Sequence, residues 1–270
     1  MKQLAVLGVG NMARAILTGL ASTATDLQRV ILFDPNPDQY NNLPKASFEY
    51  QYANSITDAV QTADTVLLSV KPQQYPTVLA ELSTLADSST KLYISIGAGI
   101  TVRSVSDALG GARVVRVLPN VPMLIGMGVS VICRNQKVEP CDFDDVCRIF
   151  QSAGSIVLID ECEMNRMIGV TSSSPAYVFQ FIRAMYDGAV AQGLPEGQEL
   201  LHAICDTLIG SAQLLKSSSD TPDELIAKVA SKGGTTEQAL RVMDENNFED
   251  IISEAMKACT VRADELGNTK

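Results

Sequence analysis

The chain has 270 residues, 46% of them hydrophobic and 19% charged, which suits about two packed domains and leaves little room for disorder. The 21 basic and 31 acidic residues give a formal net charge of −10, which argues against nucleic acid and against an anionic membrane surface as partners. A single histidine, His202, excludes multi-histidine metal sites, and six cysteines without a C-x-x-C pair point to reduced thiols, no metal site and a cytoplasmic setting.

From the amino terminus, apolar runs at Leu4–Leu7, Val30–Phe33, Thr65–Val70, Leu92–Ile96 and Val114–Leu118 alternate with stretches of helical spacing such as Asn11–Ser22 and Gln73–Leu85. Runs apolar at consecutive positions suit strands covered on both faces, so residues 1–160 are expected to form a doubly wound α/β domain of Rossmann type, a parallel sheet that Met127–Cys133 and Ser155–Leu158 extend at its edge. The first run is broken by glycine too early for a signal peptide, and no run is long enough to span a membrane.

Directly after the first run comes Gly8-Val9-Gly10-Asn11-Met12-Ala13, the dinucleotide fingerprint with alanine in its third position. Gly8 allows the tight turn, Gly10 lets a pyrophosphate approach the backbone, and the helix that follows turns its positive end to the phosphates. Leu7, Gly8, Gly10, Asn11 and Met12 are therefore expected at the cofactor. The second run ends at Asp34, where a carboxylate accepts ribose hydroxyls and repels a 2′-phosphate. With no Lys or Arg in Pro35–Gln39, the choice between NADPH and NADH leans toward NADH. The other reading has Asp34 cap the turn while Asn36 binds the ribose or phosphate. Ser69-Val70-Lys71-Pro72 and Gly97-Ala98-Gly99 follow the third and fourth runs and are expected to face the same ligand. A solvated lysine and an ordinary glycine turn are the plainer readings of these two loops.

From about Glu161 the β-branched runs stop, and Pro175–Gln192, Pro195–Leu215, Pro222–Ala230, Thr235–Asn246 and Phe248–Leu266 read as helices of a second domain, 161–270. Pro175–Ala191 is apolar around much of its circumference, so a partner subunit is an attractive place to bury it. Within Ser231-Lys232-Gly233-Gly234-Thr235-Thr236, Thr235 with Gln238 has capping-box spacing, and Gly233 and Gly234 are expected to present N–H groups to a substrate carboxylate at a helix start. A plain capped helix entry is the alternative.

These motifs, together with Val70-Lys71-Pro72, Leu118-Pro119-Asn120-Val121-Pro122 and Ser173-Ser174-Pro175-Ala176-Tyr177-Val178-Phe179, occur in an order by which the chain closely resembles the pyrroline-5-carboxylate reductase family over essentially its whole length. The resemblance implies reduction of the cyclic imine Δ1-pyrroline-5-carboxylate to L-proline with NAD(P)H, by a homodimer or a higher oligomer of dimers. It implies that Asn120 lies at the cofactor, that Ser174, Gly233, Gly234, Thr235 and Thr236 meet the substrate, and that the Thr236 hydroxyl serves the ring nitrogen as the catalytic group. Val121, Ser172, Ser219 and Lys232 depart from the family pattern and bear on substrate affinity. A β-hydroxyacid dehydrogenase would carry a lysine near the start of the helical domain, which Asn165–Ser172 lacks. A non-catalytic NAD(P) sensor would keep the fingerprint and lose the Gly-Gly-Thr-Thr turn.

Overall fold

The computed structural model describes residues 2–23 and 26–268. Its first part is an eight-stranded sheet of β1 (Gln3–Leu7), β2 (Arg29–Phe33), β3 (Glu49–Tyr52), β4 (Thr65–Leu68), β5 (Leu92–Ser95), β6 (Arg113–Leu118), β7 (Gly128–Arg134) and β8 (Gly154–Leu158). The strand order is β3-β2-β1-β4-β5-β6-β7-β8, and all neighbours run parallel except β6 and β7. Interleaved are the helices α1 (Asn11–Ala21), α2 (Ile56–Val60), α3 (Tyr75–Ser83), α4 (Val102–Ala108), α5 (Pro140–Gln151) and α6 (Glu161–Met167).

The unbroken apolar runs have their cause in two separate cores. Leu4 and Val6 pack with Ala13, Ile16, Leu17 and Leu20 of α1 on one face, while Ala5 and Leu7 pack with Tyr75, Val78, Leu79 and Leu82 of α3 on the other. A strand buried on both faces favours apolar residues at consecutive positions, and each such Leu or Val contributes about 1.5–3 kcal/mol. β3 and α2 lie outside the runs. Glu49-Tyr50-Gln51-Tyr52 is an edge strand with exposed polar positions, and α2 spans only five residues.

After α6 a π-helical turn, Ile168–Ser172, leads into α7 (Ser174–Ala191), followed by α8 (Gln198–Ser217), α9 (Pro222–Val229), α10 (Thr235–Glu245) and α11 (Phe248–Asn268). α8 starts at Gln198 and not at Pro195; the Gly197 N–H just before it donates to the Tyr186 hydroxyl at 3.0 Å. Two compact units result: one runs to Pro175 and resumes at Met256, and the other is Ala176–Ala255. These divisions differ from the compositional change at Glu161, because Met164, Ile168 and Ala263 are buried in the apolar cluster on the α3 face of the sheet.

Candidate active site

The chain builds outward from β1 through β2 to β3 in one direction and from β4 through β6 in the other, so the carboxyl ends of β1 and β4 flank the reversal point where open α/β sheets bind ligands. Gly8 follows β1 with φ +89°, and a Cβ there would lie 2.9 Å from the Ser69 carbonyl oxygen, so only glycine fits the turn. Gly10 is the opposite case. Its backbone is extended and a Cβ on it would meet nothing within 4 Å, which leaves an open approach to the start of α1. Gly10 caps α1 without a side-chain hydrogen bond, so the first-turn N–H groups around Asn11 and Met12 remain for an anion. The geometry fits a pyrophosphate.

The neighbouring strands hold this turn in place. Ser69 donates its N–H to the Leu7 carbonyl at 2.9 Å and its hydroxyl to the Gly8 carbonyl. Asp34 accepts from the Val9 N–H at 2.8 Å and, through its other oxygen, from the Asn36 N–H at 2.9 Å. The Asn36 side-chain oxygen accepts from the Asp38 N–H and caps the turn Pro37–Tyr40. Asp34 thus ties the glycine turn to the end of β2. Each carboxylate oxygen keeps a second lone pair for a ribose hydroxyl. Val70 is half-buried; Lys71 is exposed, with its backbone N–H donated to Gln74, and Pro72 opens the short turn that leads into α3.

The turn after β5 depends on a residue that the sequence did not single out. The buried Tyr75 hydroxyl donates to the Leu68 carbonyl at 2.9 Å, lies 3.0 Å from Ser95 Oγ, and accepts the Gly97 N–H at 3.0 Å. It joins the ends of β4 and β5, and burial pushes its pKa up to about 12. A Cβ on Gly97 would fall 2.8 Å from the Tyr75 ring, so that glycine serves packing beneath the turn, while Ala98 is exposed at its tip. The available signal was a tyrosine at the start of a helix that buries one face.

Asn120 is buried and held at both ends of its side-chain amide: its NH2 donates to the Thr171 carbonyl at 3.0 Å and its oxygen accepts the Val129 N–H at 2.8 Å. It fastens the loop after β6 to the π-helical turn. Ser174, at the start of α7, donates its hydroxyl to the Val170 carbonyl at 2.7 Å. Val121 is exposed, whereas the Ser172 hydroxyl is buried and has no hydrogen-bond partner among the described residues.

The remaining substrate candidates lie in the Ala176–Ala255 unit. α10 begins at Thr235 as its spacing suggests, but the capping box between Thr235 and Gln238 does not form. Gly234 is the cap residue, and Glu237 takes the reciprocal part by accepting the Gly233 N–H at 2.7 Å. The Gly234 N–H donates to the Ser231 carbonyl at 2.9 Å, so neither glycine offers a spare donor. The N–H groups of Thr235, Thr236 and Glu237 form the first turn, and Thr236 is half-buried. Ser219, Lys232 and His202 are exposed. Among the described residues no group of three or more His, Cys, Asp or Glu could hold a metal ion, and no helix is long and apolar enough to cross a membrane.

Comparison with known proteins matches residues 161–266 to the family model for pyrroline-5-carboxylate reductase dimerisation and residues 3–99 to that for NADP oxidoreductase, coenzyme F420-dependent. The pyrroline-5-carboxylate reductase of Escherichia coli K12 is 35% identical over 270 residues, covering 99% of each chain. Among solved structures, Plasmodium falciparum pyrroline carboxylate reductase with NADP bound superposes with a TM-score of 0.87 at 26% identity, covering 99% of this chain and 98% of that one. The 1-pyrroline-5-carboxylate reductase of Streptococcus pyogenes gives 0.88 at 28% identity, covering 97% of this chain and 98% of that one.

Proposed function

Because the chain belongs to the pyrroline-5-carboxylate reductase family, we propose that it is an NAD(P)H-dependent oxidoreductase that converts Δ1-pyrroline-5-carboxylate to L-proline, the closing step of proline biosynthesis. The observation that carries the reading is the glycine turn at the reversal point of the sheet, open at Gly10 and backed by the uncapped start of α1.

When bound, a reduced nicotinamide supplies a hydride to the imine carbon. The protein's work is to hold and orient the two rings. An imine protonated on nitrogen is already electrophilic at carbon, so no protein nucleophile is needed. We assign dinucleotide binding to residues 1–160, with Leu7, Gly8, Gly10, Asn11 and Met12 at the pyrophosphate. Asp34 and Asn36 serve the ribose, and Ser69 to Pro72, Gly97, Ala98 and Asn120 shape the remainder. Residues 161–270 are assigned to substrate binding and to a homodimer or an oligomer of dimers. There Ser174 and the Gly233–Thr236 turn meet the substrate, its carboxylate at the start of α10 and its ring nitrogen at the Thr236 hydroxyl, which donates or relays a proton. Asp34, without a basic neighbour in residues 35–40, favours NADH. The six scattered cysteines, with no C-x-x-C pair among them, fit a reducing cytoplasm.

The deciding experiment follows oxidation of NADH and of NADPH at 340 nm (the nicotinamide absorbance) with pyrroline carboxylate and with a panel of oxoacids. Turnover with the imine is expected; turnover with oxoacids alone overturns the assignment. Thr236→Ala is expected to lower kcat/KM for the imine and leave dinucleotide binding unchanged. A wild-type chain that strongly prefers NADPH overturns the reading of Asp34.

A further inference from the structure

β6 carries a buried charge in the middle of an apolar strand. Arg116 is 1% exposed, between Val115 and Val117, and its Nε has no partner among the described residues. Its guanidinium makes two directed contacts, donating to Asn165 Oδ1 at 2.7 Å and pairing with Glu161 Oε1 at 3.5 Å. Glu161 Oε1 in turn accepts the Val102 N–H at 2.6 Å, the first N–H of α4. Asn165 donates its own amide to Asp264 Oδ1 on α11 at 2.7 Å. That stretch of α11 lies against the turn after β5: a Cβ on Gly99 would be 2.9 Å from Leu266 Cβ and 3.2 Å from the Ala263 carbonyl oxygen.

Both routes from Arg116 therefore end on one segment, Gly97–Val102. One reaches it at the Val102 N–H and the other at Gly99; Tyr75 holds it independently at Gly97. Burying a guanidinium with an orphaned N–H is costly, and apolar replacement of such ion pairs is often neutral or stabilising. Stability alone gives no reason for an arginine here. Direction does, because a planar fork aims two acceptors at once.

We propose that Arg116 is a positioning residue for dinucleotide binding, fixing the turn between β5 and α4 through Glu161 and through Asn165 with Asp264. The proposal rests on the assignment of this turn to the dinucleotide.

The test is calorimetric titration of the full-length protein with NADPH and with NADH, with a melting curve for each variant. Glu161→Ala removes the acceptor of the Val102 N–H and is expected to weaken binding by about tenfold. Glu161→Gln restores an acceptor and is expected to bind within about twofold of wild type. Asp264→Ala, which cuts the second route at its exposed end and leaves Asn165 on the buried guanidinium, is expected to weaken binding at a melting temperature close to that of wild type. The double variant Arg116→Met with Glu161→Leu removes the buried charges together, and it is expected to fold and to bind weakly. Unchanged affinity in Glu161→Ala overturns the proposal, as does a loss that Glu161→Gln fails to rescue or that merely tracks a falling melting temperature. A wild-type chain that binds neither dinucleotide overturns this proposal together with the functional reading beneath it.

Discussion

Glu237 occupies the spot where a substrate carboxylate is expected. It sits in the first turn of α10 with its carboxylate on the Gly233 N–H, so an incoming carboxylate meets a like charge at the helix start. Glu237→Ala is expected to lower KM for the imine by about threefold, an effect of the size one surface charge exerts at a helix end, with kcat unchanged. An unaltered KM moves the carboxylate site away from Gly233. Tyr75 makes a different kind of prediction, since its phenol is buried neutral and bonded on three sides. Its folded pKa of about 12 lies above the ordinary 10.0, so between those values the unfolded chain has released a proton that the folded one keeps. Its stabilising contribution is full below pH 10 and is lost as pH climbs toward 12. Tyr75→Phe, which leaves Gly97 N–H and Leu68 C=O without the phenol, is expected to cost about 1–3 kcal/mol at neutral pH. Its melting temperature should then decline less steeply than that of wild type between pH 10 and 12.

At the scale of elements, the β1–turn–α1 unit was legible because three independent demands coincide in a few residues. An apolar run covered on both faces, a glycine forced by positive φ, and a helix spaced for one buried face all point to the same structure. β3 had no such coincidence: an exposed edge strand need not be apolar, and Glu49–Tyr52 is not. Arg116 stood in plain view inside Val114–Leu118, but a run read for its apolar character hides the one residue whose meaning depends on Glu161 and Asn165 far along the chain. Tyr75 and the Glu237 cap were missed for the same reason, since a tertiary hydrogen bond leaves no periodic trace. The two glycines of the first turn separate fold from site by experiment. Gly10→Ala places its methyl in open space at a φ that alanine accepts, so the melting temperature should hold or rise slightly. Dinucleotide affinity should nevertheless fall by about tenfold or more if the pyrophosphate approaches at Gly10 as proposed, because the methyl then stands in its way. Gly8→Ala is expected to lower the melting temperature first, its Cβ pressing on Ser69 at a strained φ. Equal affinity in Gly10→Ala would remove this turn from the binding site.

At the scale of the molecule, the two units differ in what holds them together. The sheet unit has a core on each face. In Ala176–Ala255 only Ile204 is buried, while Phe179 is 60% exposed, Ile209 61% and Leu214 56%. About 80 residues of helix cannot offset their ordering entropy with so little apolar burial, so the exposed faces must find cover elsewhere. The family match to a dimerisation domain over residues 161–266 supports a second copy as that cover. If folding and association are one process, stability depends on protein concentration. Each tenfold dilution then removes about 1.4 kcal/mol of association free energy and lowers the melting temperature by roughly 2–4 °C. Phe179→Asp, a charge placed on the most exposed aromatic of α7, is expected to give a monomer-sized species by sedimentation and to abolish imine reduction. A wild-type chain that sediments as a monomer at micromolar concentration, with a melting temperature indifferent to dilution, would show that this helical layer stands without a partner.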